Sequence, residues 1–306
     1  MAMPNARVVA AGLSAAALAL GGCPNRDETP EPVGEDPDEA EVGEEVEEVE
    51  EVEEPEAAAF IRTADDPDIE WGPCPEYMPE SCRLAVLQGD PAQPNADVFF
   101  RLAPETEVPE HWHTSNERMV LVSGTMTVDY EGQDSVELTP GTYAFGPGGL
   151  PHSTACAESD DCVLFIAFEE PVDAPSVEEQ PAPGSDEEAF VKTVEDAEWA
   201  DCPEFFPEGC GLAVLQGDPT EANADVFFRL APGTMAPKHW HTSVERMVLI
   251  SGELTVDYQG HDPVVLHPGT YAYGPAELPH TADCADGEEC VLFIAFEEHV
   301  DAHPAE

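Results

Sequence analysis

Basic residues are scarce in this chain: 10 Lys and Arg stand against 66 Asp and Glu among 306 residues, a formal net charge of −56. Phosphate neutralisation needs clustered Lys and Arg, so a nucleic-acid binder is excluded, and so is attachment to anionic lipid through basic patches. Long hydrophobic runs are missing too. The most apolar stretch, Val8 to Leu20, has thirteen residues, short of the ~20 needed to cross a bilayer as a helix. Amphipathic helical periodicity is not found at any length. The acid is unevenly placed, with 17 acidic residues in 24–58 and 11 more in 169–198. With 42% hydrophobic residues in the chain as a whole, what lies outside those segments suffices for two modest cores.

The apolar run reads as the core of a secretory signal peptide over residues 1–22. Its end, Leu20-Gly-Gly-Cys23, resembles a bacterial lipobox, which implies cleavage before Cys23 and lipidation of its thiol. Pro24 after the cysteine goes with the outer membrane of a Gram-negative cell, so the expected location is the bacterial cell envelope, lipid-anchored at the outer membrane or cell surface. Residues 27–56, the bulk of the segment 23–60, are almost all Glu, Asp, Pro, Val and Gly. Such a segment cannot bury enough apolar area to offset its ordering entropy, and it is expected to be a disordered acidic tether.

The rest is a duplication. Trp71 to Glu170 aligns with Trp199 to Glu298 at a constant offset of 128 without a gap; for example, Leu84-Ala-Val-Leu-Gln-Gly-Asp90 recurs as Leu212 to Asp218. One long period means two tandem domains, expected at 61–172 and 195–300, with a Pro- and acid-rich linker at 173–194. Inside each repeat, short runs rich in Val, Thr, Tyr and Phe are punctuated by Gly, Pro, Asp and Asn every 8 to 12 residues, as in Ala96 to Leu102, Arg118 to Val122, Thr125 to Tyr130 and Val163 to Phe168. This predicts an all-β jelly roll.

Six of the ten histidines occupy equivalent repeat positions: His111, His113 and His152, then His239, His241 and His280. If His111 to Glu117 is one strand, side-chain alternation puts His111, His113 and Glu117 on one face, with His152 joining from a neighbour. Three imidazoles and a carboxylate suit a first-row transition metal better than Ca or Mg. The spacing His-x-His-x3-Glu-x6-Gly (His111, His113, Glu117, Gly124), followed by Gly-x5-Pro-x-Gly-x2-His (Gly141, Pro147, Gly149, His152), resembles the two signature motifs of the cupin superfamily. The second repeat matches with Gly233, His239, His241, Glu245, Gly252, Gly269, Pro275 and His280. Glu105 and Glu277 stand where the motifs have glycine. The resemblance also extends to exported cupins of undefined function. It implies two double-stranded β-helix (jelly-roll) barrels and up to two divalent metal ions per chain (Fe, Mn, Zn, Ni or Cu), held by His111, His113, Glu117 and His152 and by His239, His241, Glu245 and His280.

Nine cysteines divide as Cys23 plus four per repeat: Cys74, Cys82, Cys156 and Cys162, then Cys202, Cys210, Cys284 and Cys290. An even number per domain in an exported chain reads as disulfides, and local pairing is favoured among the three possible arrangements. The alternative, Cys156 as a fifth ligand, would put it ~13 Å along an extended strand from His152. Trp112 and Trp240 are expected to pack on the face away from the ligands. Tyr143, Phe145, Tyr271 and Tyr273 read as core. Arg101, Arg229, Arg118 and Arg246 read as partners of nearby acids rather than binders of a substrate carboxylate. His261, His267, His299 and His303 have no counterpart in the other repeat.

The function expected is an envelope-anchored metal-binding bicupin with a metal ion or small molecule as partner. If it is an enzyme, it is a dioxygenase-like oxidoreductase. Two-domain oxalate-degrading cupins belong to the same superfamily, but an acidic domain repels a dianion at close range, although salt screens charges beyond ~10 Å. A neutral small organic molecule is the better substrate. The alternative is a non-catalytic lipoprotein that binds a metal or a small ligand.

Overall fold

The computed structural model describes residues 58–306, and their regular elements are all strands. The expected signal peptide, Cys23 and nearly all of the tether lie outside the described residues. Each repeat forms a two-sheet jelly roll. In the first, a seven-stranded sheet runs Phe190–Lys192, Tyr143–Gly146, Glu117–Ser123, Cys162–Phe168, Asp97–Leu102, Arg83–Gln88 and Gly72–Pro73. A four-stranded sheet, Glu107–His111, His152–Cys156, Met126–Tyr130 and Val136–Leu138, faces it. The second repeat repeats this order.

The central strand Cys162–Phe168 explains its own sequence. Cys162, Leu164, Ile166 and Phe168 point into the barrel core, while Val163, Phe165 and Ala167 point into a second core shared by the two barrels. A strand buried on both faces needs an unbroken apolar run rather than alternation. Cys290–Phe296 does the same in the second repeat. Tyr143, Phe145, Tyr271 and Tyr273 lie in the shared core, not in the barrel interiors.

The barrels also exchange strands. Phe60–Arg62, which precedes the first repeat, pairs with the second barrel's sheet (Phe60 opposite Tyr273). Phe190–Lys192, in the segment expected to be a linker, pairs with the first barrel's sheet (Phe190 opposite Phe145). The linker is thus partly structural. Beyond the expected end of the second domain, His303–Pro304 adds a strand beside His239 and Trp240.

The cysteines pair locally, as Cys74–Cys82, Cys156–Cys162, Cys202–Cys210 and Cys284–Cys290. Cys156–Cys162 ties the end of a small-sheet strand to the start of the central large-sheet strand, which removes Cys156 from any metal. Gly124 crosses under this bond with φ of 81°; a Cβ there would lie 2.9 Å from Cys162 Sγ.

At the two motif departures the backbone keeps the glycine conformation. Glu105 has φ of 57° and Glu277 has φ of 59°, where their counterparts Gly233 and Gly149 have 68° and 81°. Left-handed backbone costs an L-residue ~1–2 kcal/mol, partly offset by the greater unfolded-state entropy of glycine. Both side chains are exposed. Glu277→Gly is therefore expected to raise stability by less than ~1 kcal/mol in denaturant titration, and a loss would show that the Glu277 side chain makes a stabilising contact.

Candidate metal centres

The four candidate ligands of the first barrel come from both sheets. His111 ends one small-sheet strand and sits directly opposite His152, which begins another. Glu117 begins a large-sheet strand. His113 lies between, where the chain turns from one sheet to the other. Convergence therefore comes from this turn, not from alternation along one strand as the sequence suggested. Ser115 makes the turn: its Oγ accepts the main-chain N–H groups of Glu169 and Glu170 at 2.9 and 3.1 Å, and Ser243 does the same for Glu297 and Glu298.

In each barrel the three imidazole ligand atoms lie within 4.8 Å of one another. The carboxylate closes the set: His113 Nε2 is 3.2 Å from Glu117 Oε1 and His152 Nε2 is 3.4 Å from Oε2. In the second barrel the corresponding distances from His241 and His280 to Glu245 are 3.3 and 3.5 Å. All eight residues are buried.

The tautomers are set by the main chain. Nδ1 of His111, His113 and His152 lies against the carbonyl oxygens of Pro109, Asp173 and Leu150, and the second barrel uses Pro237, Asp301 and Leu278 in the same way. A carbonyl can only accept, so each Nδ1 carries the proton and each Nε2 turns a lone pair inward, the arrangement of a metal ligand. His241 Nε2 is buried without a hydrogen-bond partner. An orphaned acceptor among converging donors fits a divalent transition metal.

Burial shifts the charges in the same sense. It pushes His113 down to about 3 and His239 and His280 to about 4, while His152 falls well below its ordinary value through burial and then its imidazole neighbours. Glu117 is pushed up to about 8 by burial and then by Asp173, and Glu245 is raised for the same leading reason. Without a cation the imidazoles are neutral at pH 7 and Glu117 holds a proton.

Sequence reasoning missed two groups. Asp173 and Asp301 offer a main-chain oxygen to His113 and His241, and their carboxylates accept the N–H and hydroxyl of Thr114 and Thr242. Carrying the 128-residue offset past Glu170 finds them, because Val172-Asp-Ala174 recurs as Val300-Asp-Ala302. Tyr130 and Tyr258 are the other pair: each lines its cavity with a buried hydroxyl that lacks a partner. Gly146 and Gly274 leave room for them; a Cβ on Gly274 would lie 2.7 Å from the Tyr258 hydroxyl and 3.1 Å from Glu245 Oε2.

Each candidate centre opens into a cavity, of ≈ 180 Å³ in the first barrel and ≈ 130 Å³ in the second. The walls are mainly apolar, as with Met78, Phe100 and Leu164 in the first. Phe206 replaces Met78 and packs on His239 with ring centroids 5.0 Å apart, which narrows the second cavity. Thr154, with a buried unpartnered hydroxyl, is replaced by Ala282. Trp112 is buried away from the cavity and donates its indole N–H to the Gln180 carbonyl at 3.1 Å.

Residues 98–168 match the Cupin domain family, and residues 187–300 match the ChrR Cupin-like domain family. The chain is a two-domain member of the cupin superfamily. This bicupin has no match among curated proteins. Among solved structures it resembles a point mutant of Bacillus subtilis oxalate decarboxylase, with 16% identity over 81% of this chain and 79% of the other and a TM-score of 0.54. It also resembles a formate complex of Lactobacillus farciminis oxalate decarboxylase, with 15% identity over 81% and 89% of the two chains and a TM-score of 0.54. A third, at 18% identity over 81% and 79% with a TM-score of 0.50, concerns the Mn(II) centres of the Bacillus subtilis enzyme. At these identities the likeness is one of fold.

Proposed function

We propose that this bicupin is a metal-dependent oxygenase of the cell envelope, acting on a small neutral organic molecule. The observation that carries the substrate class is the absence of any Lys or Arg, among the described residues, from the lining of either cavity. The arginines of the two repeats are committed elsewhere: Arg101 pairs with Asp161, Arg229 with Glu289 at 4.0 Å, and Arg118 and Arg246 with acids of the shared core. Arg83 donates to main-chain carbonyls of Glu80 and Cys82. An oxalate dianion would find only the metal as counter-charge, with Asp173 or Asp301 in the wall. A molecule with one metal-binding end and an apolar body fits better.

A divalent metal held by the three histidines and the glutamate would supply Lewis-acid chemistry, or one-electron chemistry if redox-active. The chain's own contribution is positioning. The main-chain carbonyls fix the imidazoles, the apolar wall excludes water, and the Tyr130 hydroxyl, joined in the first barrel by Thr154, offers a neutral hydrogen bond to a bound polar group. The Mn(II) of one structural neighbour makes manganese, beside iron, a metal to test first. The lipid anchor at Cys23 and the acidic tether complete the proposal by placing the barrels off a membrane surface, where net negative charge raises the local cation concentration.

Oxygen uptake decides between this and simple binding. Protein loaded with Fe(II) or Mn(II) is expected to consume O2 with at least one member of a panel of neutral aromatic and aliphatic compounds, and not with oxalate. Retained metal and ligand binding without turnover of any compound would leave a non-catalytic binding lipoprotein. Turnover of oxalate would overturn the substrate class.

A further inference from the structure

Three residues outside the barrel centres bring metal-ligating atoms together at the rim of the second cavity. His299, Asp301 and His303 alternate along the C-terminal segment, and both imidazoles turn to one oxygen: His299 Nε2 is 3.3 Å and His303 Nε2 2.8 Å from Asp301 Oδ2. In a zinc-like site with metal–ligand distances of ~2.0–2.1 Å, neighbouring ligand atoms lie about 2.9 Å (octahedral) to 3.3 Å (tetrahedral) apart. The two contacts have the lengths of such edges; the carboxylate can only accept, so a cation entering there displaces a proton from His303 Nε2. The ligand atoms are not gathered within 4.8 Å of one another as in the barrel centres, so His299, whose side chain is 47% exposed, has to turn toward His303 to complete the site.

The other two ligands are held in place. Thr242 donates its N–H to Asp301 Oδ1 at 2.9 Å and its hydroxyl to Oδ2. His303 pairs through its backbone with Trp240, and its ring stacks on the indole with centroids 4.3 Å apart at 25°. A site with two of three ligands fixed loses little entropy on binding. Lys238, on the strand beside His303, donates instead to the main-chain oxygen of Glu306 at 2.9 Å.

The first repeat supplies an internal comparison. Asp173 holds Thr114 as Asp301 holds Thr242, but Pro171 and Pro175 stand where the second repeat has His299 and His303. The carboxylate is thus part of the shared scaffold, and the two imidazoles are what the second repeat adds to it.

We infer that His299, Asp301 and His303 form a third divalent-cation site, at the rim of the second barrel only, selective for imidazole-seeking ions such as Zn(II), Ni(II) or Cu(II) over Ca(II) and Mg(II). Asp301 lines the cavity and fixes His241 through its main-chain oxygen, so the site stands between solvent and the second barrel's ligands. Three protein donors leave positions for water or an exchanging ligand.

The test is equilibrium dialysis of the full chain, stripped of metal, against Zn(II), beside the double variant His299→Ala/His303→Ala. The variant is expected to bind one zinc fewer per chain, with Ca(II) and Mg(II) failing to displace the ion that distinguishes the two. The difference between the proteins is the readout, so it stands whether or not the barrel centres take metal. Both replaced side chains are about half exposed, and near-ultraviolet circular dichroism checks that the fold is kept. Equal zinc binding by the two proteins overturns the site, and displacement by Ca(II) or Mg(II) reduces it to non-selective attraction by surface charge.

Discussion

Replacing His111 and His239 with Ala in one chain is expected to lower the zinc or manganese affinity of both barrels by more than ~100-fold, because even partners behind the ligands cost 10- to 100-fold when removed. In a titration the metal bound per chain should drop by two, leaving only the ion at the cavity rim. The protonation states add a second signature. Glu117, pushed up to about 8, carries a proton at pH 7 that a cation must displace, whereas His113, pushed down to about 3, carries none on Nε2. Loading the first barrel at pH 7 should therefore release about one proton, seen as a buffer-dependent heat in calorimetry. Release should vanish above pH 9, where the carboxylate is already ionised, and in Glu117→Gln, which has no proton to give. Unchanged metal content in the double variant would remove these residues as the ligands.

How much of this was visible in the sequence follows from the range of each signal. The eight candidate ligands were found because their spacing is a local pattern, doubled at one offset. The all-β architecture was legible from strand composition and turn residues. The path through His113 was misread because a strand that turns sharply looks, residue by residue, like one that continues. The exchange of Phe60–Arg62 and Phe190–Lys192 was invisible because sheet pairing is set by distant partners. Asp173 escaped because the acid-rich segment that contains it has a linker's composition, and composition does not reveal one fixed carboxylate. Tyr130 and Tyr258 carry no spacing signal of their own; only the unpartnered hydroxyl separates them from core, and that is a property of the packed molecule.

The reading of the arginines as partners of acids has its largest consequence between the barrels. Arg246 and Asp97 are fully buried and 3.2 Å apart, with the Tyr271 hydroxyl donating to the other carboxylate oxygen at 2.7 Å. The duplicate set is Arg118, Asp225 and Tyr143, but here the ion pair is 3.6 Å long and no guanidinium nitrogen of Arg118 has a hydrogen bond. Removing one member of a buried pair strands the other charge, so Arg246→Met is expected to cost about 3–5 kcal/mol. The looser Arg118→Met should cost less. Replacing Arg246, Asp97 and Tyr271 together by Met, Leu and Phe should recover most of the loss, since a packed apolar set of similar volume needs no compensation. The pH dependence has a definite sign. Burial raises Asp97 to about 6, against the lowering pull of Arg246; the folded chain thus binds more protons than the unfolded one between about pH 4 and 6, and the stability from this group fades as pH rises through that window. Without Arg246 the carboxylate loses its main opposing partner and holds its proton to higher pH. Denaturant titrations of Arg246→Met should therefore show a larger loss at pH 8, where Asp97 must ionise or stay protonated at a cost, than at pH 5. A loss below ~1 kcal/mol that is the same at both pH values would mean the pair contributes little more than an exposed one, and that the shared apolar core alone holds the barrels together.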